Sequence, residues 1–333
     1  MDSMRFGSTN DVVALGSAIV DVFCSVSEDL LDQLGLKKGL MQLVGPDLAD
    51  SVVSQLGKVE MKGGGSAANT LVGLAGLGHP GTLIARTDND QFGKQYVQEL
   101  ESIGVHVERP GVSHDLGTGR CLVLVTPDGE RTMATWLGAA SHLELDQNGI
   151  DAIRNSRILY IEGYLYDIED TKRQIHRAIE VADQAGALVA ISLSDPFCVE
   201  RHRDEFLHLL DGKVSLVFAN QDEAHILTQR SDLDDMVQFF RSRMVSGAIT
   251  MGKLGAKVFN LSEAHLVPAK RVEKVVDTTG AGDLFAAGFL HGVLNHGLEN
   301  PILCAEYATI CSAEVITHFG ARPEQDLNLL LRA

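Results

Sequence analysis

Asp277-Thr278-Thr279-Gly280-Ala281-Gly282-Asp283 runs straight into Leu284-Phe285-Ala286-Ala287-Gly288-Phe289-Leu290, and the reading of this stretch decides the fold. Two glycines flank an alanine, and the run that follows has too few polar residues to face water. The spacing predicts a tight turn opening a buried helix. The first N–H groups of a helix lack intrahelical partners, and with the macrodipole they favour a phosphate or a developing negative charge. Without side chains at Gly280 and Gly282, an anion can approach that backbone closely. Asp283 falls in the first turn, where its carboxylate can take a proton from an attacking hydroxyl while the amides hold a phosphoryl group. The plain alternative is a helix start capped by Asp283 after an ordinary glycine turn, since short motifs recur by accident.

Around this stretch, 333 residues suit one large α/β domain with an appendage, or two smaller domains. The 45% hydrophobic and 22% charged fractions are ordinary for a globular protein. A formal charge of -17 argues against a broad nucleic-acid or anionic-membrane surface, both of which need positive potential. Residues 1–10 lack the basic start and apolar centre of a secretory signal, and no uninterrupted apolar run is long enough to span a bilayer. The expectation is a cytoplasmic protein with no membrane partner. The five cysteines, at 24, 121, 198, 304 and 311, form no CxxC pair and no zinc pattern, and all read as reduced. On one helix, Cys304 and Cys311 would lie roughly 10 Å apart along the axis, too far to bridge.

Residues 12–21 read as a strand ending in an acid. An aspartate there is costly to desolvate without a partner or ligand, so Asp21 is a candidate ligand group; a solvated turn aspartate fits the segment equally. Gly63-x-Gly65-x-x-Ala68, with Asp88 downstream, matches a dinucleotide fingerprint, but 55–62 is a poor buried strand to precede it, and that reading is set aside. A strand is expected over 81–86 and an amphipathic helix over 91–103, stopped by Gly104. β-rich arms at 120–126 and 131–137 around Pro127-Asp128-Gly129-Glu130 make the clearest hairpin, a small sheet apart from the main one. From 157 onward, strands over 158–161, 188–192, 214–219 and 247–251 alternate with helices, which implies a mostly parallel sheet with ligands at its carboxyl ends. Asn220-Gln221-Asp222-Glu223 there is a good helix start. Gly247 to Leu254 nearly matches GxxxxGK[ST], yet Leu254 replaces the metal-binding hydroxyl and the middle residues look like strand, leaving Lys253 without a role. A helix over 301–318 should pack Ala305, Ala308, Cys311, Ser312 and Val315.

Taken in order from Asp21 to Gly320, these segments resemble the ribokinase or PfkB family of carbohydrate and nucleoside kinases. The resemblance implies a ribokinase-like three-layer α/β fold over residues 1–333: a mostly parallel central sheet flanked by helices, plus a small β-sheet lid from segments about 20–45 and 115–138. It implies an anion hole at Gly280, Ala281 and Gly282 with Asp283 as catalytic base, and sugar hydroxyls held by Asp21, Gly65 and Asn69. Asn220 and Glu223 match the family's NxxE, which holds Mg²⁺ and phosphates through water. Thr250, Gly252 and Gly255 match the TxGxxG that lines its ATP site, and Phe319-Gly320 falls where adenine is placed. Arg131, a hairpin arginine of a kind usually solvated, would reach the transferred phosphate under a lid.

Ser192-Leu193-Ser194-Asp195-Pro196-Phe197 resembles the LSxPF segment of the family's adenosine kinases, and Gly119-Arg120-Cys121 with Gly129-Glu130-Arg131-Thr132 points the same way. Tyr164 and Leu165 fall where those enzymes set an aromatic against the base, which favours a nucleoside over a free sugar. Trp136 departs from the expected lid sequence. The resemblance therefore implies ATP- and Mg²⁺-dependent phosphorylation of a nucleoside, adenosine foremost, at its 5′-hydroxyl. A kinase of ribose, 2-keto-3-deoxygluconate or a similar sugar is the alternative, and a non-catalytic nucleoside-binding protein a weaker one. A monovalent cation at carbonyls near 277–279 stays open, as does the choice between monomer and homodimer.

Overall fold

Val12 and Ala14 enter one hydrophobic core while Val13 and Leu15 enter another, so the first strand has no polar face. A strand buried on both sides needs helices on both sides. The structure, a computed structural model, describes residues 11–55, 60–110 and 116–332. The 1–10 stretch read for a leader and residue 115 of the expected lid lie outside them. In chain order the strands are Val12–Leu15 (β1), Ile19–Ser25 (β2), Met41–Leu43 (β3), Glu60–Gly63 (β4), Gly81–Ile84 (β5), Val105–Glu108 (β6), Gly119–Val125 (β7), Arg131–Trp136 (β8), Ile158–Glu162 (β9), Leu188–Ser192 (β10), Leu216–Asn220 (β11), Ser246–Thr250 (β12), Ala256–Phe259 (β13) and Ala264–Val267 (β14).

A nine-stranded sheet runs β14-β13-β12-β11-β10-β9-β1-β5-β6, parallel from β6 to β12 and antiparallel beyond. From β1 the chain winds outward one way through β5 and β6 and the other way through β9 to β12. The order therefore reverses between β1 and β9, and ligands collect in the crevice outside the carboxyl ends at such a point. Glu162 ends β9 there, and Gly16-Ser17 follow β1.

A second, five-stranded sheet runs β3-β8-β7-β2-β4. The expected single strand over 12–21 divides at residues 16–18, because the chain leaves one sheet for the other where Gly16 passes Ala67 too closely for a side chain; a Cβ would lie 2.6 Å from that methyl. Asp21 is consequently mid-strand in β2, opposite Lys62 of β4 and Cys121 of β7. The hairpin of β7 and β8 forms as read, its turn closed by Gly129 N–H donating to the Thr126 carbonyl at 2.8 Å. Glu60–Gly63 joins the sheet as an edge strand, a segment outside the two expected stretches. Val20, Val22, Leu122 and Leu124 point into the main core, whereas Ile19, Cys121 and Val123 form a separate apolar strip with Phe23, Met133 and Leu137.

The helix predicted after the opening stretch is Ala281–His296, almost wholly buried. It lies backbone to backbone on Pro301–Val315: a Cβ at Gly288 would fall 2.7 Å from Ala308 Cα, and one at Gly292 would fall 2.6 Å from Cys304 Cα. All five cysteines are free. Among the described residues, no helix is long and apolar enough to cross a membrane.

Candidate active site

Gly280 caps the Ala281–His296 helix with φ 78, and a Cβ there would meet Ala321 Cα at 2.6 Å, so the turn is closed to any other residue. The helix has no side-chain cap. Its Ala281 amide donates to the Thr278 carbonyl at 3.2 Å, so of the three amides expected to form an anion hole those of Gly280 and Gly282 stay open, and the Asp283 amide joins them among the described residues. Beside Gly282 there is open space, with nothing within 4 Å of a built Cβ.

Asp283 is gripped from the neighbouring Ser66–Gly76 helix. Its Oδ1 accepts from Ser66 Oγ at 2.7 Å and its Oδ2 from Asn69 Nδ2 at 2.9 Å. Ser66 and Asn69 are three residues apart and so share one helix face. Burial raises the pKa of Asp283, and the bonds from Asn69 and Ser66 only partly offset it. A carboxylate moved toward neutral pH is better matched to taking a hydroxyl proton.

Asp21 lies against Gly64, where a Cβ would come within 2.5 Å of its carboxylate. Burial pushes the Asp21 carboxyl up to about 7, with Arg322 pulling it down and Asp283 and Glu99 adding to the rise. Gly65 starts the neighbouring helix at φ 90, and a Cβ there would strike the Ser17 carbonyl at 2.4 Å. Asn69 is turned toward Asp283.

Glu162, 1% exposed, accepts the Ala67 N–H at 3.0 Å and the Ser17 N–H at 3.4 Å, tying the loop after β1 to the helix that carries Ser66 and Asn69. Burial pushes its carboxyl from 4.5 up to about 7. The folded state then binds this proton more tightly than the unfolded one, so the stability Glu162 contributes is complete below pH 4.5 and is lost as pH rises through about 7. Glu162→Gln carries no such proton. Melting temperatures of the two proteins followed across that window should show the wild-type advantage shrinking with pH; a constant or growing gap contradicts the assignment.

Tyr164 sits among acids, its phenol pushed well above its usual range by burial first and then by Asp195, Glu162, Asp283 and Glu223. Its N–H donates to Ser194 Oγ at 3.2 Å, and Ser194 itself holds φ 73, a conformation rarely adopted by a non-glycine residue. Leu165 does not join it. The 163–167 segment is a tight 3-10 turn, so successive side chains diverge, and Leu165 is 0% exposed within the core. The expected contact of Leu165 with an acceptor is corrected to a packing role.

Arg131 is only partly exposed, at 21%, and is paired. Its Nη1 pairs with Asp277 Oδ1 at 2.8 Å and donates to Thr279 Oγ1 at 3.2 Å, and its guanidinium lies 5.4 Å from the centre of the Phe319 ring. Asp277 also accepts from Thr279 N at 3.0 Å and from Gly320 N at 2.9 Å. Burial alone would raise Asp277, but the bonds from Gly320, Thr279 and Arg131 outweigh it and hold the carboxyl below its usual range.

Asn220 and Glu223 close on each other as a capping box at the carboxyl end of β11. Asn220 Oδ1 accepts Glu223 N at 2.8 Å, and Glu223 Oε2 accepts Asn220 N at 2.9 Å. Burial, with Asp195 and Asp222 adding to it, pushes Glu223 up to about 7. An all-oxygen donor set of this kind fits Mg²⁺. Among the described residues no three His, Cys, Asp or Glu are grouped to grip a metal directly. Thr250 ends the adjacent β12. Gly252 and Gly255 have φ 55 and 100, and a Cβ at Gly255 would lie 2.0 Å from the Val267 carbonyl, so its part is to shape the loop. Leu254 and Phe319 stand exposed, both at 63%. Residues 247–250 are strand, as expected, and form no phosphate-wrapping loop.

Trp136 turns away from these residues. It stacks on Arg120, whose other face meets Phe92, beside a cavity of about 660 Å³ near Pro46 and Asp50. The residues that sequence reasoning missed are Gly64, Ser66, Glu99, Glu162 and Arg322. Glu162 had the same signal as Asp21, an acid ending an apolar strand, and Ser66 lies one turn before Asn69.

The chain matches the family described as "pfkB family carbohydrate kinase" over residues 24–327. It is similar to a solved structure of a probable sugar kinase from Rhizobium etli, with 35% identity and a TM-score of 0.88 over 98% of both chains. It is equally similar to that of an adenosine kinase from Sinorhizobium meliloti, with 37% identity and a TM-score of 0.87 over 97% of this chain and 98% of that one. A probable fructokinase-4 of Arabidopsis thaliana is 27% identical over 81% of this chain and 87% of its own length. The large sheet flanked by helices and the second sheet are the ribokinase-like architecture of these structural neighbours.

Proposed function

Because the chain belongs to the pfkB family of carbohydrate kinases, and is thus a phosphotransferase acting on an alcohol group of a small molecule, we propose that its acceptor is a nucleoside, adenosine foremost, phosphorylated by ATP at the 5′-hydroxyl. The observation that carries the reading is Asp283, a buried carboxylate in the first turn of an uncapped, glycine-led helix, held by Ser66 and Asn69. Asp21, pressed on Gly64, receives ribose hydroxyls. Asp283 takes the 5′-hydroxyl proton while the Gly282 and Asp283 amides stabilise the charge on the transferring group. Asn220 and Glu223 would hold Mg²⁺ through water, and the ion supplies charge neutralisation at the ATP phosphates.

The second sheet is the lid of this scheme. Its apolar strip, Ile19, Cys121, Val123, Met133 and Leu137, lies on the face of Asp21, which pairs with Cys121 in register. A planar base, apolar over both faces, gains more from such a strip and from Tyr164 than a free sugar, whose rim of hydroxyls is costly to desolvate there. Thr250, Gly252, Gly255 and the exposed Phe319 and Leu254 frame the adenine of ATP.

The test is ADP release measured across a panel of nucleosides and a panel of sugars including fructose and ribose. Adenosine is expected to exceed every sugar in kcat/KM by at least about tenfold, or 1.4 kcal/mol of transition-state binding. A sugar that outperforms adenosine overturns the nucleoside reading and leaves the assignment of the base intact.

A further inference from the structure

Arg322 stands in the segment after the Pro301–Val315 helix, far along the chain from everything it touches. Its Nε donates to Asn69 Oδ1 at 3.4 Å, and its Nη1 is bonded and ion-paired to Glu99. Its planar head lies flat on Gly63, where a Cβ would fall 2.5 Å from Nη2. Glu99 completes the clamp by accepting the Gly63 N–H at 3.1 Å. Nη2 is sealed from solvent and has no hydrogen-bond partner among the described residues, so this end of the guanidinium is shut behind the Gly63-Gly64 turn, while the side chain as a whole is 15% exposed. A charge buried in this way is costly unless it is matched. The match is more than Glu99: Arg322 acts electrostatically on Asp21 as well.

The contact with Asn69 gives the arrangement its use. A carboxamide has a donating end and an accepting end, and Asn69 spends both. Its Oδ1 takes the Arg322 proton and its Nδ2 gives one to Asp283 Oδ2. We propose that Arg322 is a positioning residue for phosphoryl transfer, fixing the Asn69 amide so that it faces Asp283 and sets how readily that carboxylate gives up or takes a proton. The inference rests on the reading of Asp283 as the base.

The groups that face Asp283 come from several elements: Ser66 and Asn69 from the Ser66–Gly76 helix, Asp21 from β2, Tyr160 and Glu162 from β9, and Tyr164 just beyond it. All the titrating members of that set are acids or phenols. Arg322 is a cation placed against Asp21, with Glu99 on its far side and Lys62 opposite Asp21 in register. Removing it takes away the anchor of the Asn69 amide and a charge that favours ionised Asp21.

The test compares Arg322→Met, Asn69→Ala and the double variant, using adenosine or whichever sugar outperforms it, and follows kcat/KM against pH. Arg322→Met is expected to lower kcat about tenfold and to move the acidic limb of the profile to higher pH, while leaving KM for ATP near wild type. In the Asn69→Ala background the same change should cost less than about twofold more, because the two act through one bond. Arg322→Lys keeps the charge and the Glu99 pair but lacks the fork that reaches Asn69 at the same time. If Arg322→Met fails to fold, Arg322→Lys, which loses only the anchor, must still lower kcat and show the same lack of multiplication with Asn69→Ala. Losses that multiply in the double variant, or an acidic limb that stays in place, overturn the proposal and leave Arg322 as a structural clamp. Asp283→Asn, run beside them, separates the two readings: if it turns over normally, the base assignment has failed, whatever the Arg322 variants do.

Discussion

Asp283→Asn is expected to lower kcat by about 10²–10⁴-fold, the range contributed by a positioned general base, with little change in acceptor or ATP affinity. The substitution keeps the shape of the side chain and can still accept the Ser66 hydroxyl now 2.7 Å away. What it removes is the second accepting oxygen, on which Asn69 Nδ2 now donates, and the basicity that burial raises. An interaction used only in the transition state should appear in kcat and kcat/KM equally, with KM unmoved. Single-turnover phosphoryl transfer, together with equilibrium titration of acceptor binding, distinguishes this from a loss of affinity. An Asn variant with wild-type turnover would remove Asp283 from the chemistry.

Gly282→Ala should be nearly as damaging to turnover and harmless to the fold. A methyl group there meets no protein atom within 4 Å, and alanine is favoured over glycine inside a helix by roughly 1 kcal/mol, so the melting temperature should hold or rise. The space the methyl fills is where the transferring group must approach the Gly282 and Asp283 amides. Loss of a single donor of this type costs about 10²–10³-fold in kcat. Gly280→Ala provides the contrast: at φ 78, with Ala321 Cα only 2.6 Å from the new Cβ, it should lose both activity and about 1–2 kcal/mol of stability. The pair separates a helix turn that needs glycine for its own geometry from one that keeps a place clear for a ligand. Full activity in Gly282→Ala would show that no phosphoryl group passes there.

How much of this was readable in the sequence depends on distance along the chain. The β7–β8 hairpin and the Asn220 capping box are set by residues a few positions apart, and local alternation and side-chain chemistry exposed both. The Ala281–His296 helix was legible for the same reason. The division of 12–21 into β1 and β2 was not, because only Gly16 and Ser17 interrupt its apolar run where the chain changes sheets, and the close pass of Gly16 on Ala67 that forces the break is a long-range contact. Leu165 was misplaced because one residue of a tight turn points at the site while its neighbour points into the core. Arg322 was invisible: its partner Asn69 is 253 positions away, and nothing near residue 322 marks it. Arg131 drew attention as a hairpin arginine, but its partner Asp277 lay inside a motif that had drawn attention for other reasons.

Arg131 is also the first residue of β8, so its bond to Asp277 is the rivet between the second sheet and the segment leading to Gly280. A second sheet that lifts away must shear that rivet. Asp277 would then keep its bonds from Thr279 and Gly320 but lose its cation. Any shift of that sheet would therefore be felt directly at the turn that starts the buried helix, through one ion pair rather than through the sheet's apolar packing.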